Sequence, residues 1–168
     1  MARIENESVV TQSVLERLID RDPNSKQEAV PTRSQSVRLL KASVRRDLEW
    51  LLNTRQIPFP IGSEYPELAK SLYNYGLPDF SSMSFDNPKD RARLLRQLEN
   101  TIRIFEPRLE APRVIPVQTD SNPSSSRIIR FQIEGLLRMD PAPEQVTFDT
   151  VLNLSSGEYQ IKGDLNGA

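Results

Sequence analysis

A chain of 168 residues that is 37% hydrophobic can build one core and one domain with tails, and it is too short for a large enzyme. Its 22 basic and 23 acidic residues leave a net charge of −1, so the whole-chain field offers no general attraction to nucleic acid or an anionic membrane. There is no cysteine and no histidine, which excludes disulfides, thiolate chemistry, cysteine–zinc sites and the Ser-His-Asp and Cys-His nucleophilic schemes, and makes a reducing cytoplasm the simplest setting.

Residues 1–12 read as a disordered N-terminus. Met1-Ala2-Arg3-Ile4-Glu5-Asn6-Glu7 carries charge at every second position and leads into no apolar run of signal-peptide length, so no export signal is expected. Ser13-Val14-Leu15-Glu16 is a capping box and opens a helical arm, 13–20, with Leu15, Leu18 and Ile19 as its apolar residues. Polar residues with Pro23 and Pro31 make 21–35 a flexible linker, so the arm is expected to detach without unfolding the rest. A single domain should occupy 36–162, followed by a tail, 163–168.

Within the domain, Val37, Leu40, Val44, Leu48 and Leu51 fall on one helical stripe and predict a helix over 37–54. Tyr65-Pro66-Glu67-Leu68 starts a short helix through Leu72, closed near Gly76, and Leu77-Pro78-Asp79-Phe80 follows as a turn. Asn87 as N-cap with Pro88 at the first position opens a helix to Phe105, whose apolar face is Leu94, Leu95, Leu98, Ile102 and Phe105. Pro107 then stops it. Beyond this point the period falls from about 3.6 to 2. Strands are expected over 113–117, around Ile129, Phe131 and Ile133, along Val146, Phe148, Thr150 and Leu152, and around Tyr159 and Ile161, the last two joined by a Ser155-Ser156-Gly157 turn. Ser124-Ser125-Ser126 reads as a loop. Helices followed by strands imply an α+β fold, with N-terminal helices packed on one face of a small antiparallel sheet formed by the C-terminal half. No stretch approaches the roughly 20 apolar residues that span a bilayer, so no direct membrane insertion is expected.

Chemistry-bearing residues are few. Glu106 and Arg108 flank Pro107 at the end of a helix, where the macrodipole disfavours an acid, so Glu106 calls for a cation and Arg108 is nearest. The pair reads as an internal brace for the turn or as a partner contact, and both can hold. As an exposed pair it would contribute roughly 0 to 1 kcal/mol, so alanine at either position should leave the domain folded. Read instead as a glycosidase acid, Glu106 needs a second carboxylate about 5 to 9.5 Å away, and only Glu110 lies just downstream. A general acid must hold a proton, and an adjacent guanidinium favours the ionised carboxylate, so catalysis is disfavoured. Between 31 and 56, six basic residues (Arg33, Arg38, Lys41, Arg45, Arg46, Arg55) face Asp47 and Glu49. That basic helix is a solvated face or a match for an acidic protein surface; with Trp50 its only aromatic, nucleic acid is not the expected partner. A sheet of three or four strands must also leave two edges. Pro116 interrupts the first strand, so the last hairpin, with Val146, Phe148, Val151 and Tyr159, is the better template for an added strand.

Five ordered blocks carry a family resemblance: Leu15-Glu16-Arg17-Leu18, Val44-Arg45-Arg46-Asp47-Leu48-Glu49-Trp50-Leu51-Leu52-Asn53-Thr54-Arg55, Ser71-Leu72-Tyr73-Asn74-Tyr75-Gly76-Leu77-Pro78-Asp79, Ile104-Phe105-Glu106-Pro107-Arg108-Leu109 and Phe148-Asp149-Thr150-Val151. In these the chain resembles the TssE family of type VI secretion baseplate subunits, part of a wider family of contractile-tail baseplate wedge proteins historically named lysozyme-like. The resemblance implies a cytoplasmic structural subunit, assembled on the inner-membrane-anchored apparatus, without cofactor, metal or catalytic centre. It implies docking on a wedge of TssF and TssG with TssK beneath, through Glu106, Pro107 and Arg108. It further implies strand exchange with the sheath proteins TssB and TssC at the last hairpin. A lysozyme-like hydrolase using Glu106 and a generic acidic-surface or nucleic-acid adaptor are the alternatives.

Overall fold

In the computed structural model, which describes residues 10–19, 23–24, 31–80, 87–117 and 128–164, three α-helices precede a four-stranded antiparallel sheet, the α+β arrangement expected. The helices are α1 (Val14–Leu18), α2 (Arg33–Asn53) and α3 (Pro88–Phe105); the strands are β1 (Leu109–Pro116), β2 (Ile128–Leu137), β3 (Glu144–Asn153) and β4 (Glu158–Asp164). Most of the N-terminus expected to be disordered (1–9), parts of the arm's end and linker (20–22 and 25–30), the loop with Ser124–Ser126 and the end of the tail (165–168) lie outside the described residues.

Helix α2 starts earlier than the apolar stripe does, reaching back into the segment expected as linker. Thr32 caps it, taking the Gln35 amide at 3.3 Å while the Gln35 side chain takes the Thr32 amide at 2.9 Å. This capping box directly after Pro31 is a readable start signal. Ser36, one turn in, is fully buried and its Oγ accepts the Val10 amide at 3.3 Å, which brings Val10 into the core. The short helix expected through Leu72 is instead two 3₁₀ turns, Leu68–Lys70 and Leu72–Asn74. Neither buries a residue, so no packed face offsets the cost of nucleating an α-helix there.

The strands form a meander in the order β1-β2-β3-β4. β1 begins at Leu109 rather than 113, because a register shift between Glu110 and Arg113 absorbs Pro112 and holds Ala111 at φ 48°. Direct cross-strand partners set one apolar face: Val114 opposite Ile133, Ile133 opposite Phe148, Phe131 opposite Thr150, Leu152 opposite Tyr159. On this face sit Leu40, Val44, Leu48 and Leu51 of α2, toward β4, and Leu94, Leu98 and Ile102 of α3, toward β1. Burying each such leucine contributes about 1.5 to 3 kcal/mol. The alternate positions Arg113, Arg130, Glu134, Gln145 and Gln160 are exposed or half-buried, although Thr147 on the same face is buried, so most of the second face of the sheet is open among the described residues.

Candidate partner interface

Helix α3 is capped at its C-terminus by Glu106, whose amide still donates to Ile102 at 2.8 Å, and the chain turns through Pro107 into β1. Glu106 is only 3% exposed. Its carboxylate is forked by Arg108, with Nε on Oε1 at 2.7 Å and Nη2 on Oε2, and Oε1 also takes the Arg108 amide at 3.2 Å. The guanidinium continues into α2, donating to Asp47 Oδ2 at 2.6 Å and to Ser43 Oγ at 3.2 Å. Asp47 in turn accepts from Arg46 at 2.9 Å, and Arg46 pairs with Glu16 of α1. Three carboxylates and two guanidiniums thus tie α1, α2 and the end of α3 together.

The electrostatics follow from that connectivity. Hydrogen bonds to Glu106 raise the Arg108 pKa against the opposing effect of burial, and Asp47 adds to the rise. Burial also works against the charge of Arg46, but Asp47 and Glu16 outweigh it and its pKa rises. Tyr75, edge-on to Phe105 at 5.3 Å, is held neutral to higher pH by burial and then by the fields of Asp47 and Glu106. The internal brace is therefore formed, and it is buried rather than exposed. Pro107 beside it is exposed and the Arg108 side chain keeps 26% of its surface, so the rim of the turn is open although Glu106 is not. A glycosidase acid must be protonated and reach substrate; Glu106 is enclosed with both oxygens accepting from Arg108, and Glu110 pairs with Arg138 at 3.6 Å.

The arm docks by its carboxylate. Ser13 caps α1 by accepting the Glu16 amide, but the Glu16 side chain turns to Arg46 and is buried. Val14 and Leu18, at 72% and 77% exposure, point away together with Leu15 and Ile19. Deleting residues 1–19 should leave a cooperative fold but lower its stability by about 2 to 3 kcal/mol, the combined loss of a buried valine and a shielded ion pair. Urea denaturation measures this, and loss of cooperative unfolding would make the arm integral to the core.

The last hairpin needs a correction. β3 is paired on both sides, so the residues 146–154 form no edge; the hairpin's edge is β4. Val146, Phe148 and Tyr159 send their side chains into the core, and Val151 is half-buried on the second face between Arg130 and Gln160. Helix side chains cover part of both edges. Asn53 of α2 takes the Tyr159 amide on Oδ1 and gives Nδ2 to the Tyr159 carbonyl, each at 2.9 Å. Glu99 of α3 takes the Val114 amide at 2.9 Å. β1 is further blunted by Pro112, Pro116 and its bulge. Since the Tyr159 backbone faces Asn53, alternation turns that of Ile161 outward too, one residue pair beyond the cover.

Sequence reasoning named Glu106 and Arg108 but not Ser43, Arg46, Asp47 and Glu16 as their partners. It also singled out the basic residues between 31 and 56, several of which are occupied internally: Lys41 by Glu144 and Arg46 by Glu16 and Asp47 on α2, and Arg55, just past its end, by Asp79. No helix among the described residues is long and apolar enough to cross a membrane. No curated protein and no solved structure matches the chain. The family model for baseplate wedge protein gp25 matches residues 38–142, from α2 through β2, and so takes in Ser43, Asp47, Glu106 and Arg108. Covering more than half of the chain, that match places it in the baseplate wedge protein gp25 family, which is the family of TssE, as a structural component of a phage-type or type VI secretion baseplate.

Proposed function

We propose that the chain is the TssE-type subunit of a bacterial type VI secretion baseplate, working in the cytoplasm on the inner-membrane-anchored apparatus. It docks on a wedge of TssF and TssG, with TssK beneath, by the Pro107–Arg108 rim, and starts the TssB–TssC sheath at the uncovered part of β4. The observation that carries the docking reading is the Glu106–Arg108–Asp47 network: it fixes the turn rigidly from within while leaving Pro107 and one side of Arg108 outward. Catalysis has no part in it, since the Glu106 carboxylate is spent on Arg108.

Strand addition follows from the edges. β1 is blocked by prolines and Glu99, and the start of β4 by Asn53, so Ile161, whose side chain lies in the core, is the first position whose outward backbone lies past that cover, just before the register shift in the β3–β4 pairing. Amide exchange on the purified protein tests this. Adding TssB–TssC should slow exchange at Ile161 at least tenfold and leave Val114 unchanged, a backbone hydrogen bond being gained at one edge only. Equal behaviour at the two amides would remove strand addition at β4, and failure to co-purify with TssF and TssG would remove the type VI assignment.

A further inference from the structure

The outward side of α3 carries Lys89, Arg93, Arg96, Asn100 and Arg103, all exposed, at steps of four, three, four and three residues. That alternation is the 3.5-residue period by which one helix lies along another. The stripe lies opposite the buried row Leu94, Leu98, Thr101 and Ile102 and is about 21 Å long at 1.5 Å per residue. Four of its five members are cations, and none has an ion-pair partner among the described residues. The acids of α3 do not serve them: Asp90 sits in the first turn, and Glu99 is engaged with the Val114 amide. Like charges at this spacing weaken an isolated helix by roughly 0.2 to 0.5 kcal/mol per pair. Three of the cations are arginines, whose planar forks suit carboxylates at an interface better than lysine does.

We infer that this stripe docks an acidic helix of another protein, one that presents Asp or Glu with the same four-three spacing. Charge complementarity selects that occupant. A second copy of this chain does not fit, because its described helices offer only Glu16, Asp47, Glu49, Asp90 and Glu99, which form no acidic row. Nucleic acid fits less well. The stripe has no aromatic for stacking, apolar Ala92 and Ile104 flank it, and the chain as a whole is slightly acidic. The inference concerns a face separate from the Glu106–Arg108 turn and from β4, and it holds whether or not the baseplate is of the type VI kind.

A benzophenone amino acid in place of Asn100, photolysed in the full chain in its own cells, reads the occupant directly. Cross-links should map to one protein segment with at least three carboxylates at helical spacing. Arg93→Glu with Arg96→Glu should cut their yield about tenfold or more, and reversing two carboxylates of the mapped segment should restore it. Arg93→Gln with Arg96→Gln, which removes charge without reversing it, should act in the same direction, with thermal unfolding unchanged. Cross-links to nucleic acid, to a segment without such carboxylates or to nothing, or yields indifferent to both variants, would overturn the inference.

Discussion

Arg108→Met should destabilise the protein by about 3 kcal/mol, and adding Glu106→Leu to it should recover most of that loss. The single change leaves a carboxylate enclosed at 3% exposure with no cation, and stranding a buried charge is far more costly than losing the pair's mutual attraction. The value lies toward the low end of the usual range because the Arg108 side chain is 26% exposed and water can reach part of the gap. For a domain of this size the shift in Tm is roughly 6 to 12 °C. The double variant removes both charges. Asp47 then loses one donor but keeps Arg46, so little is left uncompensated. Thermal melts of the two singles and the double measure the coupling directly. An Arg108→Met protein melting within about 1 °C of the parent would mean that the pair is solvated after all. The cycle also separates stability from docking: a double variant that melts normally yet fails to bind TssF and TssG assigns the charges to the interface, a distinction that neither single can make.

The premise that the pair is exposed does not hold, because Glu106 is buried. Its partner Arg108 is only two residues away, but the rest of the network reaches Ser43 and Asp47, 65 and 61 residues from Arg108. Nothing local announces that. The cover on β4 is more remote still, since Asn53 and Tyr159 are 106 residues apart, whereas Glu99 and Val114 are 15 apart across the α3–β1 turn. Elements whose signals are local were legible. Helix α3 runs between its Asn87 cap and the Pro107 stop, and β2 and β3 follow their two-residue alternation. Where reading fell short, two local signals competed. The Thr32–Gln35 box marked the start of α2 but stood inside a proline-bounded polar stretch, and the β1 bulge hid four residues of strand behind Pro112. Glu16 shows a third kind of limit: the capping-box pattern placed it rightly at the third helical position, while its side chain serves Arg46 instead of the helix end.

Gly76→Ala should cost about 3 to 5 kcal/mol, combining an unfavourable backbone conformation with a contact that has nowhere to go. Gly76 holds φ at +104°, and a Cβ there would lie 2.3 Å from the Thr54 carbonyl oxygen and 2.8 Å from its carbon. These are backbone atoms, so no side chain can swing aside. The strap formed by residues 74–77 is pinned on either side, with the Leu77 amide on Thr54 at 2.8 Å, the Gln56 amide on Leu77 at 2.9 Å, and Gln56 Nε2 on Asn74 at 2.9 Å. Relief therefore means lifting the strap and withdrawing Leu77 from the core, where it is buried. It also moves Tyr75, whose ring packs edge-on against Phe105 at the end of α3. The disturbance should thus reach the Glu106–Arg108 turn, with weaker wedge docking as well as a lower urea midpoint. Gly163→Ala is the control: a Cβ there meets nothing within 4 Å, so its effect should stay within about 0.5 kcal/mol. Should Gly76→Ala stay within about 1 kcal/mol of the parent, the Thr54 contact must yield easily, and the end of α3 would be held by the charge network alone.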